Sequence, residues 1–274
     1  MNGSHPIVGI HGAPRSGTSW LGQLFNSHPR VAYRFQPFFS FAFRDRVDER
    51  SDSADIGRMF SDLLETSDSF VHQVGSARLA QHLPAFAKRA ATHIVYKEVR
   101  FHHLVPHFIE KMPRAKFIGI VRDPRAVLAS WFKAPREFRS DWRPEEEWRH
   151  ARLKNEGRLE NWYGFERWKE LSLLFIELSL RHPRQFCLIR YEELVESPQE
   201  VVERLFGFCG LSLDEQTVRF ISESTGSDDG DPYGVFRKSL REPLQLPAGI
   251  AEAVERDLGS GPLSRFLSDR RRDR

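Results

Sequence analysis

Short apolar runs alternate with longer amphipathic stretches along this chain. The runs are rich in β-branched and aromatic residues, which favours strands, and they lie at residues 7–10, 31–35, 92–99, 115–121 and 185–191. Apolar residues at helical spacing occupy most of the sequence between them. Strands that alternate with helices usually pair in parallel, because each parallel connection needs a crossover. The pattern therefore predicts an α/β fold, a three-layer α/β/α sandwich around a central, mainly parallel sheet.

No Pro-, Gly- or Ser-rich linker divides the 274 residues, so the sequence predicts one domain over 1–274. Two charged, helix-prone segments, at about 45–91 and 133–182, are interpreted as helical insertions. In the second, large apolar residues recur every three or four positions from Trp162 to Leu178, which is typical of a helix that faces a core.

The first predicted strand runs directly into a glycine-bearing loop, Gly12-Ala-Pro-Arg-Ser-Gly17-Thr18-Ser19. Compared with the phosphate-loop pattern G-x-x-x-x-G-K-[ST], both glycines and the last hydroxyl match, but Thr18 stands at the lysine position. The cation is instead Arg15. Such a loop turns backbone N–H groups toward an anion, and the next helix adds its dipole. We expect an anion here, and the missing lysine argues against a nucleoside triphosphate. An ordinary glycine-bearing turn is the alternative.

Polar residues also lie at the carboxyl ends of other predicted strands, at Lys97, Arg122 and Tyr191. The carboxyl ends of parallel strands share one edge, where open α/β sheets bind ligands. Arg122 could give a phosphate two charge-assisted hydrogen bonds, and Ser130 on the next helix could add a third donor. The alternative is that Arg122 pairs with its neighbour Asp123.

Two of these motifs resemble those of a known family. PRSGTSWLGQLFNSHP resembles the 5′-phosphosulfate loop of sulfotransferases that use 3′-phosphoadenosine-5′-phosphosulfate (PAPS), and it is closest to the carbohydrate-type members. Val121-Arg122-Asp123-Pro124-Arg125, followed by Ser130, resembles their 3′-phosphate motif. The resemblance implies a fold like that of the P-loop nucleoside-triphosphate hydrolases, PAPS as co-substrate, no metal, and sulfuryl transfer to a hydroxyl or amine of a small molecule or glycan.

The family's residue roles carry over onto matching positions. The resemblance assigns the 5′-phosphosulfate to Arg15, Ser16, Gly17, Thr18 and Ser19, the 3′-phosphate to Arg122 and Ser130, and the adenine to Trp20 and Tyr191. Arg237-Lys238 resembles the late pair that closes over the 3′-phosphate, although the glycines that usually follow are absent. The predicted catalytic residues are Arg15, Lys97 and Glu98.

The general base is where the sequence departs from the family. Gln36 stands where one branch has a glutamate, and Val99 stands where another has a histidine. An amide cannot take the acceptor's proton. Glu98 is therefore the candidate base, with His102 and His103 next, while an exposed strand-end acid is the alternative interpretation of Glu98.

Two rival functions remain open. A P-loop kinase would need an aspartate at the end of an apolar strand to hold Mg²⁺, but the strand before Arg122 places Asp123 one residue too late. A binding module without catalysis would fit Gln36 and the missing histidine. The phenylalanines between positions 35 and 43 fit either an acceptor-binding wall or core packing.

Composition limits the partners and the compartment. There are 41 Lys and Arg against 38 Asp and Glu, and a net charge of +3 is too small to indicate nucleic-acid binding. The two cysteines lack metal-ligand spacing and fit a reducing compartment. The first predicted strand begins too early for a signal peptide, and no apolar run reaches about 20 residues. These features predict a cytoplasmic protein without a transmembrane segment, and leave its oligomeric state open.

Overall fold

The computed structural model describes residues 5–74, 83–226 and 245–268. Five strands form one sheet in the order β2-β3-β1-β4-β5, and every neighbouring pair is parallel. The strands are β1 (Ile7–His11), β2 (Val31–Phe35), β3 (His93–Glu98), β4 (Lys116–Val121) and β5 (Phe186–Arg190). All five coincide with predicted apolar runs. The parallel sheet with helices on both faces confirms the predicted fold class.

Helices follow each strand. In chain order they are α1 (Thr18–Asn26), α2 (Ser53–Glu65), α3 (Val105–Lys111), α4 (Pro124–Phe132), α5 (Pro144–Glu147), α6 (Arg152–Asn155), α7 (Phe165–Arg181), α8 (Tyr191–Glu196), α9 (Pro198–Cys209), α10 (Glu215–Gly226) and α11 (Ala248–Leu258). Single 3₁₀ turns lie at Pro37–Phe39, His102–Leu104 and Ser264–Phe266. None of the helices in the described ranges is both long and apolar enough to cross a bilayer, and the cytoplasmic location stays a prediction.

Two apolar cores lie on opposite faces of the sheet. One core contains Leu21 of α1, Val202 of α9 and Phe220 of α10. The other contains Phe108 of α3 and Trp131 of α4, together with side chains of α2, α7 and α11. Burial of these aromatic and aliphatic side chains is the main stabilising contribution to such a fold.

The connections after two neighbouring strands define the crevice that holds the candidate site. Strand β1 continues into α1 on one face, whereas its neighbour β4 continues into α4 on the opposite face. Where connections diverge in this way, a crevice opens at the carboxyl edge of the sheet, and open α/β sheets bind ligands there. The loop after β1 and the residue Arg122 after β4 therefore flank one crevice.

The segment from 144 to 182 is less regular than the sequence predicts. It forms two single-turn helices, α5 and α6, before the long helix α7. The breaks fall at Ala151 and Glu156, which adopt positive φ, and at Gly164 with φ 87°. Asn155 holds the returning chain, because its side chain donates to the carbonyl of Tyr163 and accepts from the amide of the same residue.

Candidate active site

The glycine-bearing loop after β1 has the backbone of an anion-binding turn. Gly17 adopts φ 90° and is the N-cap of α1, and Arg15 adopts φ 72°, which is unusual for a residue with a side chain. A Cβ on Gly17 would lie 2.3 Å from a ring carbon of Tyr191, so the aromatic ring packs directly against the loop. Position 17 therefore requires glycine both for its conformation and for this close approach.

The two predicted phosphate-binding motifs contact each other. Arg15 Nε donates to Ser130 Oγ at 3.1 Å, and Arg122 Nη1 donates to the Arg15 carbonyl oxygen at 3.1 Å. The guanidinium of Arg122 also lies over the ring of Tyr191, 4.5 Å from its centroid. The structure thus brings together three residues from the ends of three different strands and Ser130 from the helix after one of them.

Several buried polar atoms in this crevice have no hydrogen-bond partner. They include the Ser16 hydroxyl, inside the loop, and Nε of Arg122. Buried polar groups in folded proteins are nearly always paired, so such atoms gathered at one edge indicate a position for a polar ligand. The surrounding arginines fit an anion with at least one phosphate-like group.

Asp123 does not pair with Arg122, which was the alternative interpretation of that arginine. Its carboxylate binds Arg125 at 2.6 Å and accepts from the Ser268 amide and hydroxyl. Burial alone would raise the pKa of Asp123, but the hydrogen bonds from Arg125 and Ser268 outweigh burial and hold this pKa below its ordinary value. The carboxylate that a kinase would need for Mg²⁺ is therefore committed to an internal ion pair.

Lys97 and Glu98 are the last two residues of β3, and their side chains lie on opposite faces of the sheet. Only 3% of Lys97 and none of Glu98 is exposed. Burial lowers the pKa of Lys97 to about 8, partly offset by Glu98, and Arg15 and the Glu137 carboxylate also influence Lys97. Burial raises the pKa of Glu98 to about 8. Glu98 is thus enclosed rather than an exposed strand-end acid.

The end of β3 also organises the phenylalanine-rich turn. The Gln36 amide donates to the Lys97 carbonyl, and the Phe38 amide donates to Glu98 Oε1 at 3.0 Å. Phe38 is buried in the core, whereas Phe39 is half exposed and Phe41 is 87% exposed. Core packing is therefore confirmed for Phe38, whereas an acceptor-binding wall at the exposed Phe39 and Phe41 stays a prediction.

The remaining predicted ligands occupy different parts of the crevice. Thr18, Ser19 and Trp20 form the first turn of α1, with Thr18 and Trp20 buried. Trp20 Nε1 donates to Ser224 Oγ, and the Trp20 ring meets the Tyr191 ring edge to face. The structure does not test their predicted contact with adenine. Arg237 and Lys238 lie outside the described residues.

The two alternative histidine bases point elsewhere. Nδ1 of His102 lies 3.1 Å from Nδ1 of His11, whose other ring nitrogen is 3.1 Å from the Tyr96 hydroxyl. Burial keeps the pKa of His102 well below its ordinary value. His103 is half-buried and faces Glu49 at 3.6 Å. The buried pair of His11 and His102 therefore serves as a neutral contact beneath the loop.

The sequence did not indicate the carboxylate of Glu137. Its Oε2 lies 3.9 Å from Nη1 of Arg15, in the turn between α4 and α5. The nearby Lys154 and Tyr163 were also not predicted. This segment matches no family motif, and the only sequence signal is an acid a few residues beyond the helix that carries Ser130.

A comparison with protein families identifies the class of protein. Residues 6–215 match the model of the Sulfotransferase family, which is more than half of the chain. The chain belongs to the sulfotransferase family. This confirms the resemblance of its first two motifs, and the protein is accordingly a sulfotransferase enzyme.

Two curated proteins with similar sequences are carbohydrate sulfotransferases. This sulfotransferase is 28% identical over 295 residues to human carbohydrate sulfotransferase 6, with 88% of this chain and 73% of the relative covered. It is 26% identical over 296 residues to mouse carbohydrate sulfotransferase 5, with 85% and 71% covered.

Solved structures share the fold. Mouse sulfotransferase SULT7A1, crystallised with 3′-phosphoadenosine-5′-phosphate (PAP), superposes with a TM-score of 0.55 at 16% identity. The superposition covers 95% of this chain and 86% of SULT7A1. Retinol dehydratase in complex with androsterone and PAP gives a TM-score of 0.51 at 17% identity, over 91% and 78%. These matches confirm the architecture of the sulfotransferase.

The contact between Gly17 and Tyr191 generates a stability prediction. Gly17→Ala should destabilise the protein by about 1–3 kcal/mol, since alanine is strained at positive φ and its Cβ would meet the ring. Urea unfolding followed by circular dichroism measures this change. The control is Gly207→Ala in α9, where a Cβ would meet nothing within 4 Å. This substitution should stabilise the protein by about 0.5–1 kcal/mol. Equal effects of the two substitutions would contradict the close-packed loop.

Proposed function

We propose that this sulfotransferase uses PAPS as donor and transfers its sulfuryl group to a hydroxyl of a carbohydrate. The observation that carries the donor assignment is the direct contact between the two anion motifs, through Arg122 and the Arg15 carbonyl. Two adjacent cationic positions fit one nucleotide that carries a phosphate on its 3′-oxygen and a phosphosulfate on its 5′-oxygen. SULT7A1, which shares the fold, was crystallised with PAP, the product nucleotide of such a donor.

The residues of the loop supply the electrostatics that this reaction needs. When the sulfur–oxygen bond to the donor breaks, negative charge builds on the bridging oxygen. Arg15, the loop amides and the positive end of the α1 dipole would face that charge, and their positions are already set by the fold. Ser16 and Ser19 offer additional hydroxyl donors. Catalysis in this scheme consists of positioning and charge stabilisation, as in phosphoryl transfer.

A carbohydrate acceptor is supported by the relatives and by the exposed aromatic turn. Both reported relatives are named carbohydrate sulfotransferases. Phe39 and Phe70 are partly exposed, their ring centroids are 5.9 Å apart, and Arg100 lies over the ring of Phe39. This turn lies beside Lys97 at the edge of the crevice. Exposed rings next to a cation give a surface on which the apolar face of a sugar can rest.

The donor proposal predicts selectivity for the 3′-phosphate. PAP should bind much more tightly than ATP, without a requirement for Mg²⁺. The reason is that Arg122 and Ser130 would bind the 3′-phosphate, which ATP lacks. Arg122→Ala should lose about 3 kcal/mol of PAP binding, on the order of a hundredfold in Kd, through the loss of charge-assisted hydrogen bonds. Isothermal titration calorimetry with PAP, ATP and adenosine 5′-phosphate measures these affinities.

Two controls make that titration specific. Adenosine 5′-phosphate lacks the 3′-phosphate, so Arg122→Ala should leave its affinity unchanged. Arg181→Ala removes an arginine that is paired with Glu177 at the exposed end of α7, and it should leave PAP affinity unchanged. If ATP binds as tightly as PAP, or if binding needs Mg²⁺, the donor proposal fails in favour of a kinase.

Buried Lys97 predicts a pH dependence of binding. Because burial lowers its pKa to about 8, the ammonium group is charged below that pH and loses its proton above it. An anion prefers the charged form, so PAP affinity should fall by about tenfold between pH 7 and pH 9. Lys97→Met should bind more weakly and lose this dependence, as calorimetry across the pH range would measure.

The matched control for Lys97 is Glu98→Gln. It removes the other group at this strand end whose pKa is about 8. PAP affinity should still fall with rising pH, with the fall moved to lower pH because Glu98 supports the charge of Lys97. A Lys97→Met variant with the wild-type pH profile would show that the lysine does not face the anion.

A further inference from the structure

Glu137 lies on a rigid turn beside the anion site. The indole Nε1 of Trp131, which is fully buried in the core, donates to the Glu137 carbonyl at 3.1 Å. The next residue, Phe138, packs edge to face against the same indole, with 5.1 Å between ring centroids. Two contacts to one core tryptophan therefore fix the backbone from which the carboxylate projects.

The carboxylate itself reaches into the crevice. Its Oε2 lies 3.9 Å from Nη1 of Arg15 and has no hydrogen-bond partner, although this atom is buried. The hydroxyl of Tyr163 lies near the same carboxylate, which contributes to the raised pKa of that hydroxyl. The side chain as a whole is 24% exposed, so it can be approached from the open side of the crevice. One oriented carboxylate oxygen thus stands beside the guanidinium expected at the sulfuryl group.

Positively charged groups from three different elements lie near Glu137. Arg15 belongs to the phosphate loop, Lys97 to β3 and Lys154 to α6. Burial lowers the pKa of both lysines, and the Glu137 carboxylate partly offsets this effect. Tyr163 follows α6 and is mostly buried, which raises the pKa of its hydroxyl. Positive charge from three elements around one carboxylate stabilises its negative charge.

Glu98 is less suited to take a proton than Glu137. It is entirely enclosed, its Oε1 already accepts from the Phe38 amide, and burial raises its pKa to about 8. A carboxyl with that pKa is mostly protonated at pH 7, and a protonated carboxyl donates rather than accepts. Its contacts indicate that Glu98 holds the phenylalanine turn in place.

We propose that Glu137 is the general base of this sulfotransferase, an assignment that rests on the proposed function. The acceptor oxygen forms a bond to sulfur while the bond from sulfur to the 5′-phosphate oxygen breaks. The electron pair of the broken bond leaves with PAP, and the acceptor's hydroxyl proton passes to the Glu137 carboxylate. The proton is later released to water, which restores the carboxylate. Arg15, 3.9 Å away, then has two roles, since it orients the base and stabilises the leaving oxygen.

Glu137→Gln tests the base directly, because an amide keeps the shape of the side chain but cannot take a proton. We expect turnover to fall by about two to four decades, while PAP affinity is unchanged or tighter since a negative charge near the anion is lost. Glu137→Asp should recover part of the rate. The assay measures PAP release from PAPS with lactose, chitotriose or cellotriose as acceptors, and with water alone.

The controls separate a chemical role from a structural one. Glu145→Gln changes an exposed acid in the first turn of α5 and should leave turnover unchanged, and Glu98→Gln should cost much less than Glu137→Gln. The pH profile of turnover should differ between the wild type and Glu137→Gln, because the variant has no carboxylate at this position. A merely structural residue would lower the rate equally at every pH.

Each other outcome has a defined meaning. If Glu137→Gln retains wild-type turnover within about threefold, or if it loses PAP binding together with activity, Glu137 is not the base. If Glu98→Gln gives the larger loss, Glu98 is the base instead. If the wild type binds PAP but consumes PAPS with neither sugars nor water, the proposal for both the base and the enzymatic function fails. If the wild type does not bind PAP, the donor assignment itself fails.

Discussion

The site depends on positive charges that the sheet brings to one edge. Arg15, Lys97 and Arg122 come from three separate strand ends, and like charges that are gathered in a partly buried crevice repel one another. The fold limits this repulsion with few internal groups: Arg122 lies over Tyr191 and binds a carbonyl, and Arg15 binds Ser130 and faces Glu137. Burial lowers the pKa of Lys97 to about 8, so this lysine gives up its proton, and its charge, more readily than an exposed lysine. An anionic ligand offsets the same repulsion. The gathered positive charges therefore favour binding of an anion at this edge.

The two carboxylates near these cations illustrate how environment divides roles. Glu98 is enclosed beneath the phenylalanine-rich turn and accepts a hydrogen bond from the Phe38 amide. Glu137 instead reaches the open crevice and has one oxygen without a hydrogen-bond partner. Equal side-chain chemistry therefore leads to a structural acid in one place and a candidate base in the other. With Glu137 available, Gln36 and Val99 need not mean that the protein lacks catalysis.

The sequence predicts the parts of the site that are local and fails for the part that is not. The strands and the loop around Gly17 follow from periodicity and glycine spacing. The meeting of Arg15 with Arg122 and Ser130 follows from the rule that parallel strands end at one edge. Glu137 could not be found in this way. It meets Arg15 only because Trp131 anchors its turn, and such a contact across the fold leaves no spacing in the sequence. The irregular path from 144 to 164 likewise depends on Asn155 and Tyr163.

The most direct measurement of the central claim follows the sulfur atom itself. Wild-type protein would be incubated with PAPS labelled with ³⁵S and an unsulfated oligosaccharide, and label in the sugar would be compared with PAP formed. The account predicts that label appears in the sugar in a one-to-one ratio with PAP, without added metal. Transfer of phosphate from ATP under the same conditions, with the sulfur label remaining in the nucleotide, would contradict it.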